Sequence, residues 1–278
     1  MWIAKTKAEL RARLNVGARP VVLVPTMGAL HEGHASLISM ARKKAGAKGV
    51  VIVSLFVNPI QFDRVGDLAA YPRPLETDLV VCETRGADGV FVPDDGEMYF
   101  SDRSITITEN SLSQHLCGVA RPGHFDGVCT VVLKLFLLTN CDSAVFGEKD
   151  FQQLAVIRRM VRDLDLRTEI IPHPTMRESD GLAMSSRNAR LTPEHRADAP
   201  RIRRALLAAA GESDAATILR TAGEIIGQSH FARIDYLSLV DAETLTPTKS
   251  LEKPTVLACA VFYDEVRLID HIAVTADA

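Results

Sequence analysis

A single short run, Arg19-Pro-Val-Val-Leu-Val24, limits the fold more than any other part of this chain. Its branched apolar residues follow one another with no polar residue between them, so a strand built from them has no face to give to water. Strands covered on both faces belong to parallel sheets, and parallel neighbours need a long crossover, usually through a helix. The next residues provide one. A turn containing Gly and His leads into residues 35–48, where Leu37, Ile38 and Ala41 recur at helical spacing and the lysines fall elsewhere. Residues 50–57 form a second buried strand, ended by Asn58-Pro59.

The alternation continues less regularly. Residues 77–85 predict a helix, 89–92 a strand, 128–138 a helix, 144–146 a strand, 152–163 a helix and 167–171 a strand. This order argues for an α/β fold, a mostly parallel sheet with helices on both faces. In such sheets ligands bind beyond the carboxyl ends of the strands. The character changes after Pro172-His-Pro174. Residues 193–210 and 215–227 predict two Ala-rich helices, and 233–240, 256–262 and 266–273 predict strands, the last two joined by a short Tyr-Asp-Glu turn. The expectation is a smaller C-terminal α+β domain over 176–278, after a first domain over 1–175.

With 278 residues, 47% of them hydrophobic, the chain can bury a sizeable core without disulfides or metals. A net charge of −3 and the lack of any long Lys/Arg run set nucleic acid aside as a partner. The lysines and arginine of residues 41–48 read as a solvated helix face. Cys82, Cys117, Cys129, Cys141 and Cys259 form no C-x-x-C pair, and several lie in apolar runs, which reads as buried free thiols. The N-terminus lacks the apolar core of a signal peptide. The longest apolar stretch, residues 128–138, is interrupted by Lys134 and is too short to cross a bilayer. The expectation is a soluble, cytoplasmic protein with no membrane partner.

Five polar segments follow the predicted strands or precede helices. Pro25-Thr-Met-Gly-Ala-Leu-His-Glu-Gly-His34 joins the first strand to the first helix. Gly28 and Gly33 let backbone N–H groups approach an anion, and a helix N-terminus favours negative charge. His31 and His34, three apart, share a face if the helix begins there, and two imidazoles can donate to phosphate oxygens. A zinc site is disfavoured because H-x-x-H supplies only two ligands. Phe56-Val-Asn-Pro-Ile-Gln-Phe62 offers Gln61 as donor and acceptor, but on spacing alone it reads as a strand-ending turn. Phe146-Gly-Glu-Lys-Asp-Phe-Gln-Gln153 opens a helix; Lys149 suits phosphate, Asp150 suits ribose hydroxyls and Gln153 lies one turn on, while a charged surface turn explains it equally well. Asp180-Gly-Leu-Ala-Met-Ser-Ser-Arg-Asn188 suits a triphosphate or a plain helix cap. Arg121-Pro-Gly-His-Phe-Asp-Gly127 offers Arg121 and His124 to a ligand, or simply connects two elements.

Taken together and in this order, PTMGALHEGH, FVNPxQF, RPGHFDGV, FGEKDxQQL and DGLAMSSRN resemble the pantothenate synthetase family, over roughly residues 20–190 and again at Val266-Arg-Leu-Ile-Asp270. The resemblance implies a Rossmann-like nucleotidyltransferase domain, a C-terminal lid domain, dependence on ATP and Mg2+, and a homodimer. It implies that pantoate and ATP form a pantoyl adenylate with loss of pyrophosphate, and that β-alanine then displaces AMP. Carried over by residue, His34, His31 and Lys149 are catalytic. Met27, Gly28, Ala29, Leu30, His31, Glu32, Gly33, His34, Gly147, Glu148, Lys149, Asp150, Met176, Met184, Ser185, Ser186 and Arg187 bind ATP. Gln61 and Gln153 bind pantoate, and Gln61 also helps place β-alanine.

The departures are few. Cys117 stands where many relatives have Glu, His271 where they usually have Asn, and the acidic run ending at Asp78 is reduced, which puts a metal role for Asp78 in doubt. Two other readings stay open on the sequence. One is another nucleotidyltransferase with the same H-x-G-H site; the other is a non-catalytic nucleotide- or metal-binding protein.

Overall fold

The computed structural model describes residues 1–14, 17 and 19–274. In chain order its elements are β1 (Trp2–Ala4), α1 (Lys7–Leu14), β2 (Val21–Thr26), α2 (Glu32–Ala45), β3 (Val50–Leu55), α3 (Val65–Ala69), α4 (Leu75–Thr84), β4 (Gly89–Phe91), α5 (Asp95–Met98), α6 (Cys117–Ala120), α7 (His124–Thr139), β5 (Ser143–Gly147) and α8 (Phe151–Asp163). There follow β6 (Glu169–His173), α9 (Pro193–Asp198), α10 (Arg201–Ala210), α11 (Ala215–Gly227), β7 (Ala232–Asp241), β8 (Thr255–Tyr263) and β9 (Val266–Val274). The chain divides into two compact units. The first comprises Met1–Glu109, Arg121–Glu148 and Val156–Pro174; the second comprises Asn110–Ala120, Lys149–Ala155 and Thr175–Ala278.

The first unit is built on a six-stranded parallel sheet in the order β1-β4-β3-β2-β5-β6. The unbroken apolar strands lie at its centre, as two-sided burial requires: Val22, Leu23, Val24, Val51, Ile52 and Val53 are all fully buried. Val22, Val24, Val51 and Val53 share a core with Leu37, Ile38, Ala41 and Ala45 of α2, one stripe of that helix. Leu23 and Ile52 alternate to the opposite face. Carboxylates meet the first strand N–H groups. Asp88 accepts from Val51 N at 2.7 Å and pairs with Arg42; Asp142 accepts from Val21 N at 2.7 Å and Arg19 Nη1 at 2.9 Å. Sequence periodicity missed β1 and α1. Three residues are too few to show a strand pattern, and β1 is fixed by its pairing with β4.

The second unit carries the antiparallel sheet β7-β8-β9. Every residue of the central β8 is buried. Leu257, Cys259, Val261 and Tyr263 from one of its faces pack with Ile202, Ala205, Leu206 and Ala209 of α10 and Ile218, Ala222 and Ile226 of α11. The helix predicted over 193–210 is two helices, α9 and α10. Pro200 lies between them, and proline cannot donate the helical hydrogen bond.

Asp198, the last residue of α9, ties this unit together. Its carboxylate accepts from Arg201 Nε at 2.9 Å and Nη2 at 2.7 Å, Ser229 Oγ at 2.6 Å and Tyr263 OH at 2.9 Å. Burial pushes the carboxyl up, but the bonds from Arg201, Ser229 and Tyr263 outweigh it and hold the group below its ordinary value of 3.8. A depressed carboxyl stabilises the fold fully above the unfolded value, and that contribution is lost as pH falls through the folded one. Asp198→Asn is therefore expected to lower stability by about 3 kcal/mol at neutral pH. The gap to the parent protein should narrow as the pH drops below 3.8. Urea unfolding of both proteins across that range measures it, and a gap independent of pH would contradict the charge-based account.

Candidate active site

The residues of the first motif are placed by two consecutive left-handed residues. Gly28 has φ +84° and Ala29 φ +52°, which turns the N–H groups of Ala29 and Leu30 toward the same point. Such a concavity attracts an anion. Here the anion belongs to the protein: Asp78, in the first turn of α4 and 2% exposed, accepts from Ala29 N at 2.8 Å and Leu30 N at 2.7 Å. Gly28 N donates to Thr26 Oγ1 at 3.2 Å and Gly33 N to His31 Nδ1 at 3.1 Å. These internal bonds fix the backbone of the loop at both glycines. Burial raises the Asp78 carboxyl above its ordinary value, partly offset by the two N–H bonds.

The helix begins at Glu32, earlier than its apolar periodicity suggested, and this fixes both imidazoles. His31 is the N-cap of α2 and His34 its third residue. His31 Nδ1 accepts from Gly33 N, and His34 Nδ1 accepts from His31 N at 3.4 Å. This is a capping box made from two histidines in place of the usual hydroxyl and carboxylate. A ring nitrogen that accepts from an N–H carries no proton, so each neutral ring carries its proton on Nε2. The rings lie 4.1 Å apart at 42°. Glu32 turns to the surface, where both oxygens accept from Arg85 Nη2 at 2.8 Å.

Gln61 sits in the single turn, Pro59–Gln61, that follows β3. Its Nε2 lies 2.9 Å from Met27 Sδ, which brings the second motif against the first. Its Oε1 accepts from Asn58 Nδ2 at 3.0 Å. The segment 121–127 explains itself here. His124 Nδ1 lies 2.7 Å from Gln61 O, Arg121 Nη2 donates to that oxygen at 3.3 Å, and Arg121 Nε donates to Asp63 Oδ1 at 2.9 Å. A Cβ on Gly127 would fall 2.4 Å from Ile60 O, so only glycine lets α7 come this close. Asn58 was passed over in the sequence because Asn-Pro reads as punctuation. Its burial, at 1% exposure, and its full set of partners appear only in three dimensions.

The remaining candidates belong to the turn after β5 and to the second unit. Gly147 ends β5, and Glu148, Lys149 and Asp150 form one helical turn before α8. Lys149 Nζ lies 3.5 Å from Asp150 Oδ1. The two glutamines that follow divide their work. Gln152 is buried, accepting from Cys117 N at 2.8 Å and donating to Leu112 O at 2.8 Å and His115 O at 2.6 Å. Gln153, one position on, is half-buried. Met176 and Met184 face each other across a hairpin, with Met184 N donating to Met176 O at 2.9 Å. Arg177 in that hairpin donates to Asp270 of β9 at 2.7 and 2.9 Å. Ser185 caps the turn that holds Ser186 and Arg187, accepting from Arg187 N at 3.2 Å.

The departures from the family pattern also find places. Cys117 Sγ lies 3.3 Å from Tyr236 OH and 3.4 Å from Arg267 Nη1, while Arg267 donates to Asp235 at 2.8 and 3.0 Å. His271 stacks on Phe151 at 5.0 Å. All five cysteines are free and buried. Among the described residues no group of three or more His, Cys, Asp or Glu gathers as a metal centre, and no helix is long and apolar enough to cross a membrane.

Comparison with known proteins agrees over the whole length. A family model described as pantoate-beta-alanine ligase matches residues 2–273. A pantothenate synthetase of Akkermansia muciniphila is 53% identical over 279 residues, 98% of this chain and 99% of that protein. One from Chelativorans is 47% identical over 99% of each chain. The solved pantothenate synthetase of Thermus thermophilus has a TM-score of 0.93 at 43% identity, covering 99% of this chain and 100% of that one. The pantoate-beta-alanine ligase of Francisella tularensis, complexed with beta-gamma ATP and beta-alanine, has a TM-score of 0.82 at 32% identity, covering 98% of this chain and 97% of that one.

Asp78→Asn is expected to disturb the histidine loop. An amide can accept from only one side, so one of the two loop N–H groups loses its partner, at about 2 kcal/mol. A lower urea midpoint is expected, together with displaced His31 and His34 ring 15N signals, which in the parent protein should report the Nε2–H form. Unchanged ring signals in the variant would refute the clamp.

Proposed function

This chain belongs to the pantoate-beta-alanine ligase family and condenses pantoate with β-alanine in an ATP-dependent reaction; we propose that the two histidines of the α2 capping box stabilise its adenylation step. The observation that carries this reading is the pair of bonds from backbone N–H groups to the two Nδ1 atoms. They leave each neutral ring with an Nε2–H donor, the form that suits phosphate oxygens gaining charge.

In the proposed sequence the pantoate carboxylate attacks the α-phosphorus of ATP in line and pyrophosphate leaves. The β-alanine amine then attacks the carbonyl of the pantoyl adenylate and AMP leaves. Lys149 neutralises phosphate charge and Asp150 accepts from ribose hydroxyls. Met27–His34, Gly147, Glu148, Met176 and Met184–Arg187 supply the other ATP contacts. Glu32 would contribute through its backbone, since its carboxylate is paired with Arg85. Gln61 and Gln153 bind pantoate, and Gln61 assists β-alanine. Positioning and preorganised charge then supply most of the acceleration, with no covalent enzyme intermediate.

Magnesium prefers phosphate oxygens and water to a protein cage. The donor set here fits that, since both oxygens of Asp78 are taken by loop N–H groups. When bound it supplies charge neutralisation at the phosphates. A homodimer is proposed on the family resemblance alone, while a cytoplasmic location and a working division at residues 1–175 and 176–278 are proposed on the pattern of the sequence.

With ATP, magnesium and pantoate but no β-alanine, pyrophosphate should form to about one equivalent per site and stop; the full mixture should release AMP and pantothenate. His34→Ala is expected to slow pyrophosphate formation by about 10²-fold or more. A variant of near-normal rate would remove the assigned role, whereas failure of the parent protein to form pyrophosphate would remove the two-step scheme.

A further inference from the structure

Gln61 owes its orientation to a chain of hydrogen bonds that begins at an aromatic residue outside every motif. Tyr99, just past α5, donates from its OH to Asn58 Oδ1 at 2.8 Å. Asn58 Nδ2 then donates to Gly127 O at 3.1 Å and to Gln61 Oε1 at 3.0 Å. The direction of this chain is fixed at both ends. A backbone carbonyl only accepts, so the NH2 of Asn58 must face Gly127, and its oxygen must face the phenol. The same NH2 claims the oxygen of Gln61. The Gln61 amide therefore has its acceptor turned inward and its two-proton donor turned toward Met27, in the loop that bears the histidines.

The phenol is well held for this task. Its ring lies 6.1 Å from that of Phe56, with the Arg103 guanidinium 5.4 Å and the Lys134 ammonium 5.6 Å from its centroid. Burial, with Asp95 adding to it and Arg103 opposing it, pushes the hydroxyl above its ordinary value, so it remains a donor through the physiological range.

We propose that Tyr99 is a positioning residue for the pantoate subsite, holding Asn58 so that Gln61 presents only N–H donors outward, to the carboxylate and hydroxyl oxygens of the hydroxy acid. The proposal rests on Gln61 being a pantoate ligand. An outward amide oxygen would face the acceptor-only carboxylate and repel it. The relay thus selects an acceptor-rich acid over substrates that offer donors at this position.

The test is steady-state kinetics of Tyr99→Phe, Gln61→Ala, Gln61→Glu and the Tyr99→Phe/Gln61→Ala double variant, with each substrate varied in turn. Tyr99→Phe keeps the ring but leaves a buried Asn58 oxygen without its donor. It is expected to raise KM for pantoate by about tenfold, leaving KM for ATP within about twofold. In the Gln61→Ala background the same change should add nothing further. Gln61→Glu keeps the inward acceptor and reverses the outward one; it should raise KM for pantoate at least as much as Gln61→Ala, even if Tyr99→Phe fails to accumulate as folded protein. If Gln61→Ala raises KM for pantoate while Tyr99→Phe does not, or if the two effects simply multiply, the relay is overturned and the ligand role of Gln61 stands. A Gln61→Glu variant with unchanged KM for pantoate overturns the donor presentation. Should Gln61→Ala leave that KM unchanged, the ligand role fails and the relay falls with it.

Discussion

Strands β2 and β3 run parallel and in register from Val21 opposite Val50 to Thr26 opposite Leu55, and then stop together. Two chain segments therefore leave one end of the sheet side by side. One carries Met27 to His34, the other Asn58 to Gln61. Their adjacency is set by a ladder of backbone bonds and by apolar residues on both strand faces, before any polar residue of the site is considered. The Met27 and Gln61 side chains meet because that ladder brings their strands to an end at the same level. This is the carboxyl-end rule of parallel sheets expressed in a particular pair of loops.

What the sheet leaves undecided, a few buried polar contacts decide. The turn at Gly28 and Ala29 gathers two N–H groups that a neutral surrounding would leave unsatisfied, and Asp78 closes that deficit from a neighbouring helix. With the turn held, His31 falls at the N-cap and His34 one turn away. The helix start is then satisfied by the two imidazoles themselves. Using an imidazole as a cap has a physical consequence: the proton position on each neutral ring is dictated by the backbone N–H it accepts from, whatever the ring faces.

The Gln61 turn shows the same economy. Its carbonyl is gripped by His124 and Arg121, its side chain by Asn58, and the helix that begins at His124 can approach only because residue 127 is glycine. The conspicuous Arg-Pro-Gly-His segment is thus support for a neighbouring turn. In the second unit, Arg177 and Asp270 play a similar part for the hairpin that carries Met176 and Met184.

Much of this was legible in the chain itself. The runs at Val21 to Val24 and Val50 to Leu55 forced a parallel α/β sheet, because uninterrupted branched residues cannot leave a face to water. The order of five motifs identified the family. Short or locally ambiguous pieces were not legible: β1 has three residues, and residues 193–210 read as one helix until Pro200 is weighed. The partners of Asp78, Asn58, Tyr99 and the 121–127 segment were also hidden. Apart from the local bond between Asn58 and Gln61, the contacts that define them span between 41 and 69 residues. Periodicity reports which face of an element is apolar, and it is blind to which distant N–H or carbonyl a polar side chain will meet. The sequence by itself therefore determined the class of sheet and the family. Only the tertiary structure decided which way each imidazole and amide points, because hydrogen-bond direction depends on partners that folding brings together.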